Sequence, residues 1–143
     1  MKFVFNDGGR EAAGYKGLAD DCVCRAIAIA TGLNYQEVYD NINKLSAKEK
    51  NSKTRKSKSS ARTGVHKSTC LKLLNSLGWK WVACMGVGTG CKVHLRDGEL
   101  PNDKTIIVKV SKHLTVVKNG EIHDTYNPSR DGNRCVYGYF SKS

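Results

Sequence analysis

The feature that most constrains the fold is the dipeptide Asn119-Gly120, which stands between two strand-like runs of the 143-residue chain. Asn-Gly in this position is the strongest short-range signal of a two-residue type I′ hairpin, because both turn residues need a positive φ. A turn of this kind fixes the register of its two strands. The predicted pairs are Lys118 with Glu121, Val117 with Ile122, and Val116 with His123.

This register makes His113 and Asp124 diagonal neighbours on one face of the hairpin. The backbones of diagonal neighbours on paired strands lie about 7–8 Å apart, and their side chains are closer. An imidazole and a carboxylate at such positions are within reach of a hydrogen bond. His123 falls on the opposite face and is excluded from the pair. One interpretation is a catalytic base oriented by an acid, and the other is a cross-strand pair with only a structural role.

A nucleophile for such a base lies at the start of the first predicted helix. Apolar residues recur at helical spacing after Asp20 and Asp21, either of which suits the N-cap, and Gly32 suits the helix end. Cys22 then occupies the first turn, where free N–H groups and the helix dipole favour a thiolate. Cys24 is the alternative nucleophile, but it lies deeper in the helix. A buried structural cysteine is the other interpretation of either residue.

The remaining periodicities predict a single α+β domain spanning 1–143, with N-terminal helices packed on a C-terminal antiparallel sheet. After a short strand at 3–5, helices are predicted at about 22–31, 34–45 and 67–77. Strands are predicted at 79–85, 105–110, 114–118, 121–126 and 135–140.

The net charge of +11 is concentrated between Lys48 and Arg62, where seven basic residues face one acidic residue. This stretch is rich in serine and has almost no apolar residue. We therefore predict a flexible loop at about 48–66 that supplies no core face. A solvated surface loop is one interpretation, and contact with nucleic acid is the other.

We expect an intracellular, cytoplasmic protein without membrane contact, because the chain has no signal peptide and no run of roughly 20 apolar residues. The six cysteines are then expected to be reduced. Cys91 and His94 form a Cys-x-x-His step, which Cys84 and either Cys70 or Cys135 would extend toward a zinc site. No second tight pair follows, so we expect neither a metal nor a cofactor.

Two parts of the chain resemble papain-like cysteine peptidases. The first is Asp21-Cys22-Val23-Cys24-Arg25-Ala26-Ile27-Ala28, followed by a glycine-ended helix. The second combines Lys112-His113-Leu114-Thr115-Val116-Val117 with Asp124-Thr125-Tyr126-Asn127-Pro128. The nearest in pattern are C39-like bacteriocin-processing peptidase domains and small uncharacterised phage proteins. The order of a cysteine on the first helix, a histidine on a central strand and an acid or amide on the next strand also matches.

The resemblance implies a papain-like fold and a triad of Cys22 as nucleophile, His113 as base and Asp124 as orienting acid. It implies hydrolysis or transfer at an amide, isopeptide or thioester carbonyl through an acyl-enzyme, with a protein or peptide as substrate. Phage origin would place the protein in the bacterial cytoplasm. Such peptidases usually carry an oxyanion-hole Gln about six residues before the nucleophile, where this chain has Lys16. Lys16, Asn6 or backbone groups alone are the alternatives for that role.

Three further residues complete the candidate site. Tyr126 shares the predicted face of His113 and is a candidate to line the substrate site. Asn127 is the alternative to Asp124 for orienting His113, and Asp21, beside the nucleophile, is a candidate substrate contact. The other functional hypothesis is a non-catalytic basic protein on the same fold, which contacts nucleic acid or a host protein through Lys48–Arg62.

Overall fold

The computed structural model describes residues 1–17, 20–49, 58–86 and 88–142. They form an α+β structure with three helices and a six-stranded mixed sheet, which confirms the predicted class. The helices are α1 (Cys22–Thr31), α2 (Tyr35–Ser46) and α3 (Lys67–Ser76). The strands are β1 (Lys2–Phe5), β2 (Trp79–Ala83), β3 (Thr105–Val110), β4 (His113–Lys118), β5 (Glu121–Asp124) and β6 (Gly138–Lys142).

The sheet runs in the order β1-β5-β4-β3-β6-β2, so that β4 and β3 lie at its centre. Only the β1–β5 pair is parallel among these strands, and the predicted purely antiparallel sheet is corrected to a mixed one. Side chains alternate across a strand, so neighbours separate onto two faces. Ile107 and Val116 join the cluster beneath the helices, whereas Ile106 and Val117 join a second cluster with Leu95 on the opposite face.

The β4–β5 hairpin has the predicted register at all three of its pairs, which confirms the prediction made from Asn119-Gly120. Asn119 and Gly120 have φ values of 50° and 80°, as a type I′ turn requires. β5 ends at Asp124, two residues earlier than predicted. There the Asp124 carboxylate accepts a hydrogen bond from the backbone N–H of Thr125 (2.7 Å), which turns the chain out of the sheet.

The helix boundaries follow from local capping. Gly32 ends α1 in the left-handed conformation, with φ of 75°, where a glycine carries no steric penalty. The side chain of Asn34 accepts a hydrogen bond from the N–H of Gln36 and so begins α2. No helix within the described ranges is both long enough and apolar enough to cross a bilayer.

The prediction that 48–66 supplies no core face is wrong for the described part of this segment. Ala61 is fully buried among the helices, and Val65 packs against the same cluster. Glu49 accepts hydrogen bonds from the N–H and hydroxyl of Ser59 and from the hydroxyl of Thr69. Burial raises the pKa of Glu49, but these bonds outweigh it and bring the pKa to about 2. The centre of the predicted loop, 50–57, lies outside the described residues, as do most of its basic side chains.

Gly138 lies beneath the ring of Trp81, which also packs on Phe140 with ring centres 5.0 Å apart. A Cβ at position 138 would overlap the Trp81 ring and lie 2.6 Å from the carbonyl oxygen of Val82. We therefore expect Gly138→Ala to lower the free energy of unfolding by about 1–3 kcal/mol, the usual cost of overpacking. Urea denaturation measures this effect.

Gly86→Ala is the matched control for this substitution. A Cβ there would meet only the Thr89 methyl group at 3.6 Å, an ordinary van der Waals contact. Equal stability losses in the two variants would contradict the predicted overlap with Trp81.

Candidate active site

The fold brings Cys22, His113 and Asp124 together. Cys22 is the first residue of α1, which packs on β4, and His113 is the first residue of β4. Asp124 is the last residue of β5, the neighbouring strand. The Nε2 of His113 lies 2.7 Å from Oδ2 of Asp124, and both side chains are buried. The His113 ring and the Cys22 thiol line the same cavity, and each shifts the pKa of the other.

Local geometry explains why His113 can reach both partners. The ladder between β4 and β5 ends at Val116 and His123, so His113 and Asp124 lie beyond the last paired residues. His113 instead pairs with Val110 of β3, across a turn in which Lys112 has a φ of 56°. The imidazole therefore sits at the end of the central strands, where the start of α1 meets the sheet.

The charges of the site favour a thiolate and an imidazolium. Burial raises the pKa of the Cys22 thiol, but the hydrogen bond and charge of His113 outweigh it and lower that pKa below its ordinary value. Burial lowers the pKa of His113, whereas hydrogen bonds to Asp124 and Cys22 raise it, and the net pKa is raised. Both shifts favour the proton on nitrogen over sulfur, which is the direction that activates a cysteine nucleophile.

Asp124 is held in its charged form by the same contacts. Burial raises the pKa of Asp124, but the hydrogen bond from His113 outweighs it and leaves the pKa lowered. The guanidinium of Arg25 adds an ion pair, with Nη2 3.8 Å from Oδ1 of Asp124. A charged carboxylate at Nε2 leaves Nδ1 as the ring nitrogen available to the thiol.

Asp21 lies in a buried ion-pair cluster rather than in the thiol cavity. Its side chain is 1% exposed and pairs with Arg25. The same carboxylate accepts a hydrogen bond from the Tyr35 hydroxyl (2.6 Å) and pairs with Nε of Arg10 (3.2 Å). The expected substrate contact through Asp21 is therefore corrected, because all of these partners lie within the protein.

The occupied carboxylate of Asp21 has a consequence for the first turn of α1. Asp21 is the N-cap residue by position, but its side chain makes no capping hydrogen bond. The N–H groups of Cys22 and Val23 thus keep their capacity to bind an anion beside the sulfur, where both residues line the cavity.

Lys16 and Asn6, the two side chains considered for the oxyanion hole, lie elsewhere. Lys16 lines a second cavity of about 520 Å³ together with Arg10 and Asp21, and it is absent from the lining of the thiol cavity. Asn6 bonds through Nδ2 to Nδ1 of His123 (3.3 Å). Of the three alternatives, backbone N–H groups are the one that the described residues place beside Cys22.

Tyr126 and Asn127 have different surroundings. Tyr126 lines the thiol cavity, and its ring centre lies 5.1 Å from that of His113. Asn127 is exposed, and its side-chain oxygen accepts a hydrogen bond from the N–H of Ser129 (3.0 Å). The residue that orients His113 in this structure is therefore Asp124 and not Asn127.

Cys24 is fully buried in the helical core, and its sulfur contacts the carbonyl oxygen of Tyr35 (3.8 Å). Burial raises the pKa of the Cys24 thiol to about 12. Cys70 has a similar environment, and burial raises the pKa of its thiol to about 12 as well. Among the four free cysteines, Cys22 is the one whose thiol pKa is lowered.

Cys22 and His113 open into a cavity of about 920 Å³. Its wall is largely apolar, with Val65, Leu71, Trp81, Tyr126 and Phe140. Its lysines are Lys67, Lys109 and Lys112. The cavity therefore combines a thiol of lowered pKa with a largely apolar wall that also includes the three lysines, Arg25 and Asp20.

Arg25 is the site residue that sequence reasoning missed. Its guanidinium joins the carboxylates of Asp21 and Asp124, and its side chain is 12% exposed. The i,i+4 spacing of Asp21 and Arg25 was the available signal, since such pairs meet on one helix face. Its second partner, Asp124, comes from a strand about a hundred residues later, and no local pattern reveals that contact.

The cysteine chemistry also departs from the expectation that all thiols are reduced. Cys91 and Cys135 form a disulfide between residues 44 positions apart. An isolated antiparallel bridge pairs His94 with Cys135 and draws the two segments together. Cys135 therefore precedes β6 instead of beginning it, as the periodicity had predicted.

Comparison of the chain with models of protein families, with curated proteins and with solved structures finds no match.

Proposed function

We propose that this protein is a cysteine hydrolase of papain-like architecture, with Cys22 as nucleophile, His113 as general acid and base, and Asp124 as the group that orients His113. The observation that carries this proposal is the position of the His113 imidazole, which bonds to the Asp124 carboxylate at 2.7 Å and lines the same cavity as the Cys22 thiol, whose pKa it lowers. The order along the chain, from helix cysteine to strand histidine to strand acid, supports the papain-like assignment.

The reaction begins when the Cys22 thiolate attacks a carbonyl carbon bound in the cavity. A carbon–sulfur bond forms, and the carbonyl π electrons move to oxygen, which the N–H groups of Cys22 and Val23 stabilise. His113 then gives its proton to the leaving nitrogen as the carbon–nitrogen bond breaks. This releases an amine and leaves a thioester on Cys22.

Hydrolysis of the thioester reverses the roles of these groups. His113 removes a proton from water, and the resulting oxygen nucleophile attacks the thioester carbon. The carbon–sulfur bond breaks, a carboxylic acid leaves, and the proton on His113 restores the thiolate–imidazolium pair. Asp124 stays ionised throughout and stabilises the imidazolium, as an orienting carboxylate does in related triads.

The cavity favours peptide-like substrates over small polar ones. Its apolar wall suits a hydrophobic side chain, with Trp81 and Tyr126 offering exposed aromatic surface. Lys109 and Lys112 on the border favour a nearby acidic group on the substrate. We therefore infer a peptide, isopeptide or related amide with apolar and acidic groups near the cleaved bond.

Acyl-enzyme formation tests this proposal without knowledge of the natural substrate. We expect p-nitrophenyl acetate to acetylate Cys22 near neutral pH, with the adduct located by peptide mass spectrometry and a burst of nitrophenol equal to the enzyme concentration. Cys22→Ala is expected to abolish the burst. Cys84→Ala, which removes another half-buried free thiol, is the matched control and is expected to retain it. Equal acetylation of Cys84 and Cys22 would overturn the assignment.

A further inference from the structure

Three side chains that can bind a metal converge outside the lining of the Cys22 cavity. They are Cys91, His94 and Cys135, whose potential ligand atoms all lie within 4.8 Å of one another. Cys91 and Cys135 form a disulfide in this structure, and the backbone bridge between His94 and Cys135 holds the third group beside them. Cys91 is exposed, and the other two residues are half-buried, so an ion has access from solvent.

The distances in this cluster suit a tetrahedral zinc site. With zinc–sulfur and zinc–nitrogen bonds of about 2.3 and 2.0–2.1 Å, tetrahedral angles put the two donor atoms about 3.6 Å apart. The Cys91 sulfur and Nε2 of His94 are already 3.5 Å apart. Two zinc-bound sulfurs lie about 3.8 Å apart by the same geometry. The two sulfurs are bonded in the disulfide, so zinc binding requires that the reduced side chains rotate and move the sulfurs apart. The Cα atoms of Cys91 and Cys135 lie 5.8 Å apart in the disulfide form.

Glu99 completes the environment of His94. Its Oε1 lies 3.2 Å from Nδ1 of His94, and it also accepts the backbone N–H of that residue at 3.2 Å. A carboxylate on one ring nitrogen orients the other nitrogen toward a metal and increases its basicity. Arg96 pairs with Glu99 and lies 3.3 Å from the same Nδ1. Because a guanidinium can only donate, the Arg96 contact requires the tautomer in which Nδ1 of His94 carries no proton. A metal at Nε2 selects the other tautomer, in which Nδ1 carries the proton and donates a hydrogen bond to Glu99.

We propose that, when reduced, Cys91 and Cys135 bind one Zn²⁺ together with Nε2 of His94, and that a water molecule fills the fourth position. Two thiolates and an imidazole are ligands that zinc prefers. A thiol reductant supplies two electrons and two protons to the disulfide and is itself oxidised to a disulfide. Each cysteine then loses its proton on binding Zn²⁺. Disulfide and zinc are thus alternative links between the same two segments, for oxidising and reducing surroundings.

Alkylation of the full-length, wild-type protein tests this proposal. The protein is reduced with a phosphine, which is then removed, and iodoacetamide is added with and without one equivalent of Zn²⁺. We expect zinc to slow the alkylation of Cys91 and Cys135 at least about tenfold and to leave Cys84 unchanged, as read by peptide mass spectrometry. Protection of neither cysteine, equal protection of all cysteines, or protection confined to Cys22 would overturn the proposal.

A second measurement keeps both cysteines and therefore does not depend on a cysteine variant folding. Glu99→Gln is expected to weaken Zn²⁺ binding about 10- to 100-fold, the usual effect of losing a carboxylate that orients a ligating histidine. Competition with a chromophoric chelator measures the affinity. Asp97→Asn is the matched control, because its carboxylate pairs with the amino terminus at 3.0 Å instead of with His94. Equal affinity in the Glu99→Gln and wild-type proteins would contradict the assigned role of Glu99.

Discussion

Replacing His113 with alanine is expected to slow the alkylation of Cys22 by iodoacetamide about 10- to 100-fold at about pH 6. The pKa of Cys22 is lowered by the hydrogen bond and charge of His113 against the effect of burial, so the variant loses what sustains the thiolate. An ordinary thiol with a pKa of about 8.5 is only about 0.3% ionised at that pH. The thiolate that still forms in the variant is more basic and therefore a better nucleophile, which recovers part of the lost alkylation rate. This effect explains the lower, tenfold end of the expected range.

His123→Ala is the matched control for this variant. His123 lies on the same hairpin but bonds to Asn6, away from Cys22. Its removal is expected to leave the alkylation rate of Cys22 unchanged at every pH. Asp124→Asn is expected to fall between the two, because His113 keeps its position while losing the carboxylate that raises its pKa. Equal rates for Cys22 in the His113→Ala and His123→Ala proteins would contradict the predicted ion pair.

Asp21→Asn is expected to lower the free energy of unfolding by about 3–5 kcal/mol, the largest stability effect that we predict. Asp21 is 1% exposed, and its charge compensates the guanidinium of Arg25. Removing one partner of a buried ion pair typically costs this much, and Arg25 then keeps only the longer contact with Asp124, at 3.8 Å. The carboxylate also accepts from Tyr35 and pairs with Arg10, and the amide replaces these contacts only in part. Urea denaturation followed by circular dichroism measures the loss.

Asp20→Asn provides the control at the neighbouring position. Asp20 is exposed, so the same change of charge there is expected to alter stability by no more than about 0.5 kcal/mol. Similar losses in the two variants would show that charge near the start of α1, and not the buried cluster around Asp21, determines stability.

The clustering of Cys22, His113 and Asp124 could be predicted from sequence because each part of the cluster depends on local rules. The turn at Asn119-Gly120 needs positive φ at two successive residues, and it alone fixes the register that brings His113 near Asp124. The start of α1 at Cys22 follows from the helical spacing of the apolar residues and from Gly32. Neither inference required knowledge of how the helices pack on the sheet.

Contacts between distant segments could not be predicted in this way. The ion pair between Arg25 and Asp124 exists because α1 packs across β4 and reaches β5. Ala61 is buried next to a turn at Ser59, and Glu49 accepts hydrogen bonds from the N–H and the hydroxyl of Ser59. Lys16 stands where papain-like peptidases usually carry an oxyanion-hole Gln, yet it lines the second cavity. The partner of Arg25 lies about 100 residues away, and no local sequence pattern reveals the burial of Ala61 or the position of Lys16.

The pH dependence of alkylation at each free cysteine of the wild-type protein tests the central claim most directly. The lowered pKa of Cys22 and the raised pKa of His113 both favour a thiolate–imidazolium pair below the ordinary titration range of a thiol. We predict that the rate at Cys22 stays nearly level from about pH 8 to about pH 6. The rate at Cys84, whose thiol pKa burial raises, should fall about tenfold per pH unit. A Cys22 rate that falls in parallel with that of Cys84 would contradict a thiolate–imidazolium pair at this site.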